Sequence, residues 1–241
     1  MFKTRRICLW SGPRNISTAL MYSFGQRADT TIVDEPLYAH YLTSTDARDY
    51  HPGADEIIAS QENDGQKVID EVIMGDYDTP IAFFKNMTHH LVDLDWGFME
   101  KTINVILTRD PKEMLTSYVK QVENPTIEDV GYKKHLEVVE YLNDIGRKPI
   151  ILDSTEMLKY PQSKLRELCS RMGVPFDDAM MSWPAGPRKE DGVWARHWYH
   201  NVHRSTGFRL YKPKNEPFPE HLEDLLEECQ DAYDKLMELA D

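Results

Sequence analysis

The sequence predicts an α/β fold in which a parallel sheet of about five strands is flanked by helices on both faces. Three observations predict it. Short apolar runs of strand length recur along the chain, segments with helical apolar spacing alternate with them, and turn-forming residues separate the two. Because strands that alternate with helices pair in parallel through right-handed crossovers, this order predicts a doubly wound, three-layer arrangement.

The predicted strands are apolar runs that stop at polar residues or proline. The first lies between Arg5 and Ser11 and ends in a tight Ser-Gly-Pro loop. The second ends at Asp34-Glu35, because Pro36 stops it. The remaining candidates are residues 80–86, 103–108 and 149–153.

The predicted helices follow these runs. Apolar residues at helical spacing begin after Ser17 and again after Pro111. Proline suits the first turn of a helix. Further helices are predicted before Gly146, before Gly173 and, with an acidic solvated face, at about residues 217–240. Between the second and third strands, residues 43–80 are polar, and they are predicted to cover a substrate pocket.

Length and composition predict a single domain over residues 1–241. The net charge of -13 argues against a nucleic-acid or membrane-surface partner, because both need a basic face. The sequence has no apolar run near about 18 residues and no signal-peptide pattern, which predicts a cytoplasmic protein. The three cysteines are isolated and are expected to be buried free thiols. A homo-oligomer is left open.

The loop after the first strand is predicted to bind an anion. The first turn of a helix exposes unpaired N–H groups and the positive end of its dipole, so a phosphate or sulfate there meets backbone donors, two hydroxyl groups and a guanidinium. The residues of this loop are Gly12, Pro13, Arg14, Asn15, Ile16, Ser17 and Thr18.

Other predicted strand ends carry groups suited to anions or to proton transfer. Glu35 follows the second strand, and Lys85 ends the third, just before His89 and His90. Arg109 follows the fourth strand, with Ser117 about two helical turns further on. Because the carboxyl ends of parallel strands border one crevice, these groups are expected around a common site.

Cations for an anionic donor and a base for an acceptor are what an enzyme that transfers a group from a nucleotide needs. Two other interpretations of these residues compete with this one. A P-loop kinase or NTPase is disfavoured, because the loop lacks G-x-x-x-x-G-K-[ST] and has no lysine before Ser17. A metal site at His197, His200 and His203 is also disfavoured, because positions three apart fan round a helix and no further ligand has a recognised spacing. No metal is therefore predicted.

In this order the motifs resemble the sulfotransferase family that uses 3′-phosphoadenosine 5′-phosphosulfate, which has a P-loop-like fold, and most closely its bacterial members. Residues 13–18 are similar to the family's 5′-phosphosulfate loop. Arg109 and Ser117 match the arginine and serine that hold the 3′-phosphate. Arg188-Lys189 before Gly192 resembles the C-terminal loop that closes over that phosphate.

The resemblance implies in-line transfer of a sulfuryl group to a hydroxyl or amine of a small molecule. Arg14 and Lys85 would neutralise the developing charge, and the family offers two bases for the acceptor proton. One is a glutamate after the second strand, where Glu35 stands. The other is a histidine after the third strand, near His89 and His90. Glu35 is the favoured base.

Some positions depart from the family pattern. Ile16 stands where the loop usually has glycine, Ala19 where an aromatic stacks on adenine, and Glu190-Asp191 where the C-terminal loop is basic or small. Two alternatives therefore stay open: another nucleotide-dependent transferase or kinase of this fold, and a non-catalytic nucleotide or anion binder. The identity of the acceptor cannot be inferred from the sequence.

Overall fold

A computed structural model describes residues 4–213 and 216–240 of the chain. In this part, five parallel strands form one sheet in the order β2-β3-β1-β4-β5. The strands are β1 Arg5–Ser11, β2 Thr30–Asp34, β3 Ile81–Met87, β4 Ile103–Thr108 and β5 Ile150–Asp153. The predicted α/β class with about five strands is confirmed.

Helices connect the strands and cover both faces of the sheet. In the described ranges they are α1 Ser17–Phe24, α2 Tyr38–Ser44, α3 Ala54–Ser60, α4 Gly65–Val68, α5 Pro111–Tyr118, α6 Ile127–Val130, α7 Tyr132–Asp144, α8 Ser154–Lys159, α9 Pro161–Arg171, α10 Ala195–Trp198, α11 His200–His203 and α12 Glu223–Glu238. Short 3-10 segments lie at Asp46–Asp49, Thr88–His90, Gly97–Lys101, Asp178–Met181 and Glu220–Leu222, and a π-helical turn lies at Ile69–Ile73.

Strand β1 shows how the sheet divides the core. Its side chains alternate, because successive residues of a strand point to opposite faces. Ile7 and Leu9 pack with α1 and α9 on one face, whereas Cys8 and Trp10 pack with α7 and the end of α12 on the other. This alternation produces the three layers. Single-domain organisation over residues 1–241 stays a prediction, and residues 1–3, 214–215 and 241 lie outside the described chain.

The register of the central strands brings their carboxyl ends together. Ser11 at the end of β1 pairs with Met87 of β3 and with Leu107 of β4. On the other side of β3, Asp34 pairs with Lys85. The loops that leave these strands therefore start side by side along one edge of the sheet.

The segment before α12 is more ordered than a loop. It contains the short helices α10 and α11, and Trp194 and Tyr199 are buried in a core cluster with α2 and α3. Cys8, Cys169 and Cys229 are buried free thiols, as expected. Among the described residues, none of the helices combines the length and the apolar character needed to cross a membrane.

Candidate active site

A cavity of about 430 Å³ opens at the carboxyl ends of the strands. Part of its lining comes from residues at the strand ends and from the loop between β1 and α1. These are residues 12–19, Glu35, Lys85, Met87, His89, His90, Arg109, Ser154 and Thr155. The chain from the end of α10 onward contributes to another border, with Trp198, Tyr199, Val202, Ser205, Phe208, Arg209 and Tyr211. The predicted crevice therefore gathers groups from all five strand ends.

The cavity has two chemically different parts. We call residues 12–18 together with Arg109 and Ser117 the arginine side. The imidazole side consists of rings and one thioether, namely Tyr38, His51, Met87, His89, His90 and Trp198. Glu35 and Lys85 also line the cavity.

The loop between β1 and α1 is held in a fixed conformation. A Cβ on Gly12 would lie 2.8 Å from the carbonyl oxygen of Val130, so close backbone approach requires glycine there. The side-chain nitrogen of Asn15 donates to the carbonyl of Leu107 at 3.1 Å, and the hydroxyl of Ser154 donates to its amide oxygen at 3.2 Å. Asn15 therefore ties the loop to the ends of β4 and β5.

Ile16, which stands where glycine was expected, does not block the side of the loop that faces the cavity. It has φ -93°, which a β-branched residue adopts without strain, and its side chain packs against the core on the α1 face. The left-handed position is Arg14, with φ 56°. A non-glycine residue there is strained, and such strain concentrates at functional sites. The loop therefore stays open toward the cavity, with Ser17 starting α1.

Two guanidinium groups meet beside this loop. Nε of Arg14 donates to the hydroxyl of Ser117 at 3.2 Å, and Arg109 donates to the carbonyl of Arg14 at 2.7 Å. Arg109 also pairs with Glu113 at 2.9 Å, whereas Arg14 has no carboxylate partner among the described residues. Burial, and then the charge of Arg109, lower the pKa of Arg14. The negative charge of an anion bound here would stabilise the charged form of Arg14 and so raise its pKa again.

At the ends of β2 and β3, two carboxylates share one buried ammonium group. Nζ of Lys85 lies 3.0 Å from Asp34 and pairs with Glu35, and all three side chains are buried. Tyr199 accepts the third hydrogen bond from Nζ, at 2.5 Å. Because an ammonium has three protons, Lys85 is fully engaged by the protein. Glu35 has φ 39° and is thus a second strained residue beside the cavity.

Tyr199 links this ion cluster to the C-terminal segment. Its hydroxyl donates to both carboxylate oxygens of Asp34 at 2.8 Å and accepts from Nε1 of Trp194 at 3.1 Å. The backbone N–H of Gly192 also donates to Asp34, at 3.3 Å. The segment after residue 186 is therefore anchored on the carboxylate that precedes Glu35.

Burial perturbs the pKa values of this cluster. Burial raises the pKa of Glu35 above its ordinary value; the charge of Lys85 opposes this shift and that of Asp34 adds to it. Burial lowers the pKa of Lys85, but the charges of Asp34 and Glu35 outweigh it, so that this pKa lies above its ordinary value. Two carboxylates and one ammonium leave the cluster with a net negative charge when all are ionised.

His89 and His90 lie in a 3-10 turn directly after β3 and line the same cavity. Burial lowers the pKa of His89 to about 3 and that of His90 well below its ordinary value. His51 reaches the same region from the turn before α3, and burial lowers its pKa to about 4. All three imidazoles are therefore neutral at neutral pH, which makes each a weak base.

Arg188 and Lys189, expected to close over a phosphate, do not reach the cavity. The guanidinium of Arg188 lies over the ring of Tyr22 at 4.9 Å and donates to the carbonyl of Pro184 at 2.7 Å. Lys189 is exposed and lies 3.5 Å from Glu190. The physical reason is Asp191, which accepts hydrogen bonds from the hydroxyl of Tyr22 and the backbone of Arg188 and thereby holds the loop against α1.

The three histidines considered as a metal site, His197, His200 and His203, lie in different surroundings. His203 lies 2.9 Å from Asp191, His197 lies against Gly53, and His200 is exposed. In the described part of the chain, no group of three or more histidine, cysteine or acidic side chains is arranged to hold a metal ion.

Several residues that line the cavity or contact its lining were not predicted from the sequence. Asp34 directly precedes Glu35 at the same strand end, and this adjacency could have identified it. His51 comes from the segment predicted to cover a pocket and Tyr38 lies just before that segment, but nothing in their spacing pointed to them. Tyr199 and Arg209 lie in the segment that contains α10 and α11 and the chain after them, where only the fold decides which side chains face the cavity.

Comparison with known proteins identifies the family. Residues 5–239 match the model described as the sulfotransferase domain. Two curated proteins of Arabidopsis thaliana, named branched-chain-amino-acid aminotransferase-like proteins 1 and 2, are 39% and 37% identical over 228 residues. These matches cover 94% of this chain but 40% of each relative. The chain therefore spans about two fifths of the length of these relatives.

Solved structures with the same fold are also found. The sulfotransferase domain of the Synechococcus PCC 7002 olefin synthase has a TM-score of 0.57 and 14% identity, with 95% of each chain covered. The sulfotransferase domain from the curacin biosynthetic pathway has a TM-score of 0.54 and 15% identity, covering 98% of this chain and 99% of the other. At these identities the likeness concerns the fold.

Proposed function

Because the chain belongs to the sulfotransferase domain family, we propose that it moves the sulfuryl group of 3′-phosphoadenosine 5′-phosphosulfate to a hydroxyl or amine group of a small molecule. One observation carries this proposal. A single cavity joins the loop of Arg14, which has no carboxylate partner among the described residues, to the buried carboxylate of Glu35, whose pKa is raised. Group transfer between an anionic donor and a protic acceptor needs both.

The arginine side fits the negative charges of the proposed donor. Ser17, Thr18 and the N-terminus of α1 would hold the 5′-phosphate, since the first turn of a helix offers free N–H donors. Arg109 and Ser117 would hold the 3′-phosphate. Arg14 lies next to the second pair, because it contacts Ser117 through its side chain and Arg109 through its carbonyl.

The proposed step is one in-line displacement. Glu35 takes the proton of the acceptor while the acceptor oxygen or nitrogen bonds to sulfur and the bond from sulfur to the bridging oxygen breaks. Arg14 stabilises the electron pair left on the bridging oxygen, and 3′-phosphoadenosine 5′-phosphate is released. Lys85 was expected to contact the sulfuryl oxygens, but its three protons are engaged. We assign it the task of holding Glu35 in place and ionised.

Glu35 suits the role of base better than either histidine. Burial raises its pKa above the ordinary value, which strengthens it as a base. The two neighbouring imidazoles have the opposite shift, since burial lowers the pKa of His89 to about 3 and that of His90 well below its usual value.

Calorimetric titration tests the donor class. We expect 3′-phosphoadenosine 5′-phosphate to bind with a micromolar dissociation constant and ATP not to bind. The variant Arg109→Ala should abolish the first interaction, whereas the exposed Arg147→Ala should leave it unchanged. Tight binding of ATP alone would instead favour the kinase alternative, and binding of neither nucleotide would overturn both interpretations.

Turnover separates an enzyme from a binder. The protein, supplied with the donor and a panel of hydroxyl and amine compounds, should release 3′-phosphoadenosine 5′-phosphate only when an acceptor is present. Donor binding without release across the panel would favour the non-catalytic alternative.

A further inference from the structure

The imidazole side has the form of a ring-lined pocket. His90 stacks between Tyr38 and Tyr41, with ring centroids 4.7 Å apart and interplanar angles of 24° in both pairs. The ring of His89 packs edge-on against that of Tyr41 at 5.0 Å. Such packing fixes the orientation of both imidazoles. A flat molecule in this part of the cavity meets preformed ring edges and faces.

The positions of the protons on His89 and His90 follow from burial. In both rings Nδ1 is buried and has no hydrogen-bond partner among the described residues. An orphaned buried N–H is rarer and costlier than an under-satisfied acceptor, so the proton belongs on Nε2. The described residues supply no hydrogen-bond partner for either Nε2. Both imidazoles therefore offer an N–H donor to a ligand in the cavity that they line.

The charges around the imidazole side disfavour an anion. The nearest cation, Lys85, is already shared by two carboxylates. A further buried carboxylate, Asp129, accepts from the hydroxyl of Tyr50 at 2.7 Å and contributes to the field at His51. An anionic ligand would lose its hydration here without gaining a counter-charge.

We propose that the imidazole side is the acceptor subsite and that it takes an uncharged aromatic hydroxyl compound. The ring of this compound lies against the stacked rings, and its oxygen accepts a hydrogen bond from Nε2 of His89 or His90. In this subsite the two histidines act as neutral donors that position the acceptor oxygen, and the proton goes to Glu35. The fate of that proton rests on the proposed sulfuryl transfer, whereas the binding selectivity does not.

A pair of matched probes tests the subsite without turnover. 2-Naphthol and 2-naphthoate have the same ring and differ in charge at neutral pH. Titrated into the full chain saturated with 3′-phosphoadenosine 5′-phosphate, 2-naphthol should bind at least about tenfold more tightly than 2-naphthoate. Equal or tighter binding of 2-naphthoate overturns the proposal, and so does failure of 2-naphthol to bind. Preference for methyl glucoside over 2-naphthol would also overturn it.

Variants test the donor role of the histidines. His89→Phe and His90→Phe keep a flat ring and remove the N–H, so each should weaken 2-naphthol binding, with at least one of them doing so by about 3- to 10-fold. The exposed His221→Phe is the matched control and should bind 2-naphthol as the native chain does. Because the stacked His90→Phe variant can lose stability, thermal unfolding is measured for each, and His89→Phe provides the second test. Unchanged affinity in both folded variants would refute the donor role.

The same samples separate this proposal from the proposed function. If 2-naphthol binds selectively but is not sulfated, the subsite stands and the transferase proposal fails for this acceptor class. If an acceptor is sulfated but 2-naphthoate competes as well as 2-naphthol, the transferase stands and the subsite assignment fails.

Discussion

The arginine side and the imidazole side handle charge in opposite ways. On the arginine side Arg14 has no carboxylate partner among the described residues, so positive charge is left for a ligand. Near the imidazole side the buried cation Lys85 is shared by two carboxylates, and the imidazole rings are neutral. This difference supports the proposals that a charged donor binds at the arginine side and an uncharged acceptor at the imidazole side. A substitution on one side should therefore leave the ligand of the other side unaffected.

Loss of the base is expected to have the largest effect. Glu35→Gln removes proton acceptance but keeps the side-chain shape, and we expect turnover to fall by about 100-fold or more. Binding of 3′-phosphoadenosine 5′-phosphate should be unchanged, because the arginine side is intact. Steady-state kinetics and calorimetry measure the two quantities, with the half-exposed Glu137→Gln as the control. Unchanged turnover would transfer the role of base to His89 or His90.

Loss of the Arg14 guanidinium should weaken binding of the donor. Arg14→Gln removes a charge-assisted contact to phosphate, worth about 1.5–3 kcal/mol, so the dissociation constant of 3′-phosphoadenosine 5′-phosphate should rise about 10- to 100-fold. Affinity for 2-naphthol should stay within about twofold, because that probe has no negative charge. A similar loss for both ligands would mean that the two sides are not independent. Exposed Arg48→Gln serves as the control.

The carboxylate next to the base should shift the pH profile. Asp34 raises the pKa of Glu35, so Asp34→Asn should lower it and move the acidic limb of the turnover profile to lower pH by about one unit. Tyr199→Phe removes a hydrogen bond that lowers the pKa of Glu35, so the limb should move to higher pH. Shifts in the same direction would contradict this arrangement.

The two sides also differ in how far the sequence predicts them. The arginine side comes from residues 12–18 and 109–117, and each of these segments is continuous in sequence. Topology alone brings them together, because β1 and β4 are neighbours. The hydrogen bond from Arg14 to Ser117 follows from two short patterns and one strand pairing.

The imidazole side and the ion cluster beside it depend on packing between distant segments. In the ion cluster, Tyr199 is 114 residues from its partner Lys85, and no spacing in the sequence connects them. The pairing of Tyr38 with His51 likewise depends on how α2 and α3 fold back on each other. His89 and His90 were recognised as candidates, but their neutrality is a property of burial, which residue type does not reveal.

Substitutions in and near the C-terminal loop of Arg188 and Lys189 are expected to have the smallest effect on donor affinity. They test whether this loop contacts the donor, as the sequence motif predicts. Arg188 and Lys189 matched a phosphate-closing motif, but a local match does not say where a loop docks, and Asp191 holds this one against α1. Arg209 lines the cavity instead. We therefore expect Arg209→Ala to weaken binding of 3′-phosphoadenosine 5′-phosphate by about fivefold, as is typical of an exposed charge, and Lys189→Ala to change it by less than about twofold. The opposite ranking in the same titration would show that the loop leaves α1 when the donor binds.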